Sequence, residues 1–94
     1  MSRSKTYASV WDAIEQNPAV AANMKLRSEL MMALSEVIGK WQGTQGDAAK
    51  RLGITQPRLN DLVRSKIDKF SLDALITLAH AAGLTVRVKI SKAA

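Results

Sequence analysis

The tightest constraint on this chain is a three-residue turn, Gly53-Ile54-Thr55, lying between two short helix signals. Thr44 is a helix-capping residue, and the segment Gln45–Leu52 behind it sets Ala48, Ala49 and Leu52 on one helical face. Gly53 follows where a left-handed residue closes a helix. Thr55 caps a second segment with Pro57 in its first turn, and Ile54 and Leu59 have the spacing of a hydrophobic staple. Leu59, Leu62 and Val63 form the apolar stripe of that segment. Two helices joined by so short a turn cross steeply, the helix-turn-helix arrangement. Ala48 and Ala49 are small enough to let them approach, and Leu52, Ile54, Leu59 and Leu62 fill the inside of the corner.

The remaining elements surround this corner. A short amphipathic segment spans about Ala8 to Gln16, with Val10, Trp11 and Ile14 along one edge. Asn17-Pro18 reads as an N-cap followed by proline at the first helical position. A long helix then reaches about Lys40, with Leu26, Leu30, Leu34, Val37, Ile38 and Trp41 on one face. Lys25, Arg27, Glu29 and Glu36 fall mostly on the other face, and Met24, Met31 and Met32 read as core fillers. Gly43 ends this element. Ser65 to Lys69 is a polar, basic loop. Phe70-Ser71 opens a last helix over Leu72–Ala82, with Ser71 as cap and Phe70 stapled to Leu75; Gly83 ends it. From Leu84 to Ile90 apolar and polar residues alternate with period two, the pattern of a half-buried strand. The expected fold is all-α, a five-helix bundle with one short C-terminal β-strand at 84–90, in a single domain over 1–94.

Charge points to a partner. The net charge is +6, and all of the excess sits in residues 40–94, which hold ten Lys and Arg against four Asp. A basic half-domain attracts polyanions through phosphate contacts and counterion release. The chain has no cysteine, which excludes disulfides and thiolate metal sites. Met1-Ser2-Arg3-Ser4-Lys5 leads into no apolar stretch, and no apolar run approaches the roughly 20 residues of a membrane span. A cytoplasmic, nucleoid-associated protein that does not engage membranes is expected.

With Leu59 and Leu62 turned inward, the second helix of the corner presents Gln56, Pro57, Arg58, Asn60, Asp61 and Arg64. Gln and Asn match adenine edges, and Arg matches guanine N7 and O6. The N-terminal residues of such a helix reach bases while the preceding helix lies across the backbone. Gln56, Arg58 and Asn60 are therefore the candidate base readers. Thr44 and Gln45, at a helix N-terminus, suit a phosphate, and Arg64, Lys66 and Lys69 suit the flanking phosphates. Asp61 opposes phosphate unless it accepts from a cytosine or pairs with Arg58 or Arg64.

On these residues the stretch TQGDAAKRLGITQPRLNDLVRSKIDKFSLDALITLAHAAGL resembles the Cro/repressor-type, or xenobiotic-response-element, helix-turn-helix family. Its ITQP and KFSLDAL elements are similar to the HigA-like antitoxin and transcriptional regulator subgroup. The resemblance implies a lambda-repressor-like bundle of about five helices that acts as a homodimer on palindromic double-stranded DNA and represses transcription. It carries the motif's first Gln onto Gln45 and the recognition positions onto Thr55, Gln56, Arg58 and Asn60. Ser65 departs from it, since many relatives have glycine after the recognition helix.

Two partner expectations follow. A lone strand leaves an edge of backbone groups unpaired, and pairing with its own copy across a two-fold axis would satisfy it, with Leu84, Val86, Val88 and Ile90 as the clasp of a homodimer. The N-terminal face of Tyr7, Val10, Trp11 and Ile14 either packs on the long helix or docks a toxin protein. Beside a repressor, the second functional possibility is therefore an antitoxin of a type II toxin–antitoxin pair, which neutralises a small toxin as well as binding DNA, and the third is an interaction module that uses the fold without DNA. Enzymatic chemistry is not expected, and neither is a cofactor or metal. His80 stands alone among alanines, no serine lies in a nucleophile elbow, and no glycine-rich phosphate loop is present. Trp11 and Trp41 read as core or interface anchors.

Overall fold

The computed structural model describes residues 17–92. Within them lie four α-helices, α1 (Pro18–Gly39), α2 (Gln45–Leu52), α3 (Gln56–Val63) and α4 (Leu72–Ala81), with a 3₁₀ turn over Ile67–Lys69 between α3 and α4. Of the five helices expected, the one over Ala8 to Gln16 falls outside the described residues. The docking face of Tyr7, Val10, Trp11 and Ile14 falls there too.

Each helix begins where its capping residue dictates. The Asn17 side chain accepts the Ala19 N–H at 3.0 Å and Pro18 follows. Thr44, Thr55 and Ser71 accept the N–H of Asp47, Arg58 and Ala74 at 3.1, 3.2 and 3.1 Å. α1 lies along α4 and also touches α3 and the 3₁₀ turn, while α2 packs on α3 and α4. The core between them is Met31 and Leu34 of α1, Ala49 and Leu52 of α2, Leu59 and Leu62 of α3, then Phe70, Leu75, Leu78, Ala79 and Ala82.

The inner face of α1 departs from the expected stripe. Met31 and Leu34 are fully buried and Leu30, Val37, Ile38 and Trp41 pack around them, but Leu26 and Met32 are exposed. At 100° per residue, the line through 27, 31, 34 and 38 points inward, so 26 and 32 lie to its sides. The same rotation brings Arg27, expected on the outer face, under the 3₁₀ turn.

Residues 84–92 carry no regular secondary structure, so the strand expected at 84–90 does not form. A strand exists only through a ladder, and the described residues contain no strand for this segment to pair with. Only the first apolar position keeps contact with the core: Leu84 packs on it, and Val86 is already exposed. Val88 and Ile90 are 76% and 89% exposed.

Three helices leave by the same hydrogen-bond pattern, in which two backbone N–H groups fold back to the last turn. After α2, Ile54 and Gly53 donate to Ala49 and Lys50; after α4, Leu84 and Gly83 donate to Ala79 and His80. After α3, Lys66 donates to Asp61 at 3.0 Å and Ser65 to Leu62 at 3.1 Å. The pattern needs a left-handed residue in the middle: Gly53 and Gly83 have φ of 74° and 84°, and Ser65 has φ 57°. For a side-chain-bearing residue that conformation costs about 1–2 kcal/mol, partly offset by the extra entropy glycine would lose on folding. Ser65→Gly is therefore expected to stabilise the protein by about 0.5–1 kcal/mol, raising Tm by several degrees in thermal unfolding. An unchanged or lower Tm would mean that Ser65 is not strained.

Candidate nucleic-acid interface

α3 shows its surroundings residue by residue. Leu59 and Leu62 are buried, and the 100° rotation sets Pro57, Asn60, Asp61 and Arg64 furthest from them. Gln56 and Arg58 flank that outer line on opposite sides. Thr55 and Gln56 are exposed, while Arg58 and Asn60 are half-buried.

Gln56 leans toward α2. A Cβ at Gly46 would stand 3.1 Å from its Nε2 and 3.5 Å from the Thr44 hydroxyl, so the absence of a side chain at 46 is what lets the Gln56 amide lie against the start of α2. The expected base reader Gln56 and the expected phosphate residues Thr44 and Gln45 are thus brought to one place.

Arg58 leans the other way and is engaged within the molecule. Its Nη1 donates to the Lys69 carbonyl at 2.8 Å, and its guanidinium lies 4.1 Å above the centre of the Phe70 ring. To reach a guanine it would have to give up both contacts. Lys66 pairs with Asp61 at 3.7 Å. Asp61 therefore has a partner, though neither of the arginines expected for it. Lys66 and Asp61 are the two ends of the helix-exit pattern, where an apolar contact commonly sits. Arg64 and Lys69 are exposed.

The start of α2 is closed by a reciprocal cap: the Thr44 side chain accepts the Asp47 N–H, and Asp47 Oδ2 accepts the Thr44 N–H at 2.9 Å. This leaves the Thr44 hydroxyl hydrogen and the Gln45 side chain free for a phosphate. The cap also fixes Gly43, whose φ is 107° and where a Cβ would lie 2.6 Å from Asp47 Oδ2. The Thr44 backbone N–H, and then its side chain, hold the Asp47 carboxyl below its ordinary value.

Three contacts were not anticipated from the sequence, two of which it could have signalled. The Thr44-x-x-Asp47 spacing is that of a capping box. Arg27 shares the inward line of α1 and donates from Nη1 to the Ile67 and Phe70 carbonyls at 3.3 and 3.2 Å. The guanidinium of Arg51 stacks 4.0 Å from the Trp41 ring, tying α2 to the end of α1, and nothing in the local sequence signals it.

Among the described residues no group of three His, Cys, Asp or Glu side chains could hold a metal ion, and no helix is long and apolar enough to cross a membrane.

A family model described as a helix-turn-helix domain matches residues 13–91. A solved structure assigned to the XRE family of transcriptional regulators superposes with a TM-score of 0.71 at 36% identity, covering 78% of this chain and 82% of that one. No curated protein matches.

The cap gives a pH-dependent expectation. A carboxyl whose pKa is lowered by folding stabilises above its unfolded value and loses that contribution as pH falls through the folded value. Acidification below about pH 4 should therefore loosen the start of α2. Asp47→Asn should flatten that dependence, and Thr44→Ala should cost about 1 kcal/mol at neutral pH. Amide exchange at Asp47 and Ala48 measures both; equal protection at acid and neutral pH would contradict the cap's role.

Proposed function

We propose, from the premise that the chain belongs to the XRE-type helix-turn-helix domain family, that it is a DNA-binding transcription regulator. In this reading α3 enters the major groove and α2 lies across the phosphate backbone. The observation that carries it is the polar edge of the α2–α3 corner: Thr44, Gln45, Thr55, Gln56, Asn60 and Arg64 stand over a buried Leu59–Leu62 stripe, and all the excess positive charge lies in the half of the chain that contains them.

Gln56 and Asn60, beside Thr55, read bases, with adenine edges as their natural partners. Thr44 and Gln45 hold one phosphate run, and Arg64, Lys66 and Lys69 hold the other. Arg58 is a prop for the 66–70 loop first and a base reader only if it is released. These roles separate in a titration of labelled duplexes. Gln56→Ala and Asn60→Ala should each cut discrimination by about 1–3 kcal/mol, and Lys69→Ala should weaken every sequence alike. Arg58→Ala should behave like Lys69→Ala; relaxed selectivity at a single base pair in that variant would make Arg58 a reader.

The regulator works as a homodimer on a two-fold-related site, as a repressor. Support for pairing comes from the segment Leu84 to Ile90, which alternates apolar and polar residues, forms no ladder among the described residues and exposes Val88 and Ile90. Antiparallel pairing with a second copy would satisfy that edge and set the two α3 helices about 34 Å apart, one turn of duplex. Light scattering on the sized protein should give twice the chain mass, and Val88→Lys with Ile90→Lys should return it to one. A single-chain mass in the unsubstituted protein at micromolar concentration would remove the clasp from this account.

A further inference from the structure

Arg27 has no place in the interface described above, yet it is the only charged side chain on the inward line of α1. It is half-buried, with Nη1 donating to the carbonyls of Ile67 and Phe70 and Nη2 set 2.8 Å from the Met24 sulfur. Its Nε is buried and has no partner. A buried donor left unpaired is costly to hold, and an apolar residue at 27 would continue the line of Met31 and Leu34 without it. An apolar residue would, however, leave two loop carbonyls unheld. The 3₁₀ turn does little for them itself: the Ile67 carbonyl receives only a long 3.4 Å bond from the Phe70 N–H.

The loop is gripped from both sides. Arg27 holds the backbone at 67 and 70, and Arg58 holds it at 69. Between those points stands Lys69, exposed and without an ion-pair partner among the ion pairs of the described residues. A planar guanidinium can hold two carbonyls from one nitrogen in fixed geometry, which a lysine ammonium on its flexible stem does not reproduce.

We propose that Arg27 is a positioning residue for DNA binding: from beneath the 3₁₀ turn it fixes the backbone on both sides of Lys69, so that the Lys69 ammonium is held ready for a phosphate. The proposal rests on the DNA-binding reading above. Arg27 itself touches no DNA, and its effect passes through the loop.

The test is duplex affinity as a function of salt for Arg27→Lys, which keeps the charge and loses the two-carbonyl grip. Its slope of log K against log salt should flatten by about 0.9, one phosphate contact, on specific and random duplex alike. Combined with Lys69→Ala it should add nothing to the slope change of Lys69→Ala alone. Val37→Ala, ten residues and about 15 Å further along α1, controls for simple destabilisation and should leave the slope unchanged. All variants are compared at a temperature where circular dichroism shows them folded. An unchanged slope in Arg27→Lys, an equal change in Val37→Ala, or full additivity with Lys69→Ala would overturn the positioning role. If the unsubstituted protein binds no duplex, the DNA-binding reading fails first, and that outcome is distinct from the other three.

Discussion

Phe70 is the residue on which the functional half of the fold depends. Its ring is buried in the core, Arg58 of α3 lies over one face of it, and its carbonyl is bonded to Arg27 of α1. Ser71, the cap of α4, follows directly. One side chain therefore fixes the distance between α3, the basic loop and the two helices behind them. A buried aromatic contributes by area alone, but this one also offers a π-face to a cation, which orients Arg58 as well as anchoring it. The loop that follows α3 is held by both arginines, although only three of its residues are helical and Ser65 is in a conformation that favours glycine.

The arginines show how one residue type serves two purposes. Arg51 and Arg58 stack on Trp41 and Phe70, Arg27 holds loop carbonyls, and Arg64 is exposed. Part of the positive charge that a polyanion would feel comes from groups that also carry structural contacts, Arg51, Arg58 and Lys66 among them. The field and the fold are therefore not separable by counting charges: removing Arg58 would lower the charge and loosen the loop together. Lysine substitutions at such sites distinguish the two effects, because they keep the charge and lose the planar contact.

Much of this was legible in the sequence. The bounds of α2, its Thr44 cap and its Gly53 exit followed from residue types with narrow conformational preferences, and so did the Thr55 and Ser71 caps. The buried Ala49, Leu52, Leu59 and Leu62 and the Phe70–Leu75 pair followed from spacing, whereas Val63, expected on the same stripe of α3, is exposed at its edge. α1 was less legible because apolar residues occur nearly all around it, so the stripe through Leu26 and the true line through Met31 and Leu34 fit the pattern about equally well. Arg27 was missed for that reason: a charge was assigned to solvent although its position was inward. The C-terminal alternation from Leu84 to Ile90 was read as a strand, and none forms there: a strand is a relation between two segments, and one segment's sequence cannot supply the other. At the interface, residue types identified Gln56 and Asn60 as hydrogen-bonding groups. Only the fold shows Gln56 resting over Gly46, or Arg58 turned toward Lys69, since both depend on neighbours distant in sequence.

The central claim is that the α2–α3 corner binds double-stranded DNA by charge and selects among sequences by its polar edge. The most direct measurement is the affinity for the protein's own upstream DNA and for a random duplex across a salt series. The account predicts that both affinities fall steeply and linearly on a log–log scale, and that the upstream duplex is bound about a thousandfold or more tighter. Affinities indifferent to salt, or equal for the two duplexes throughout, would contradict it.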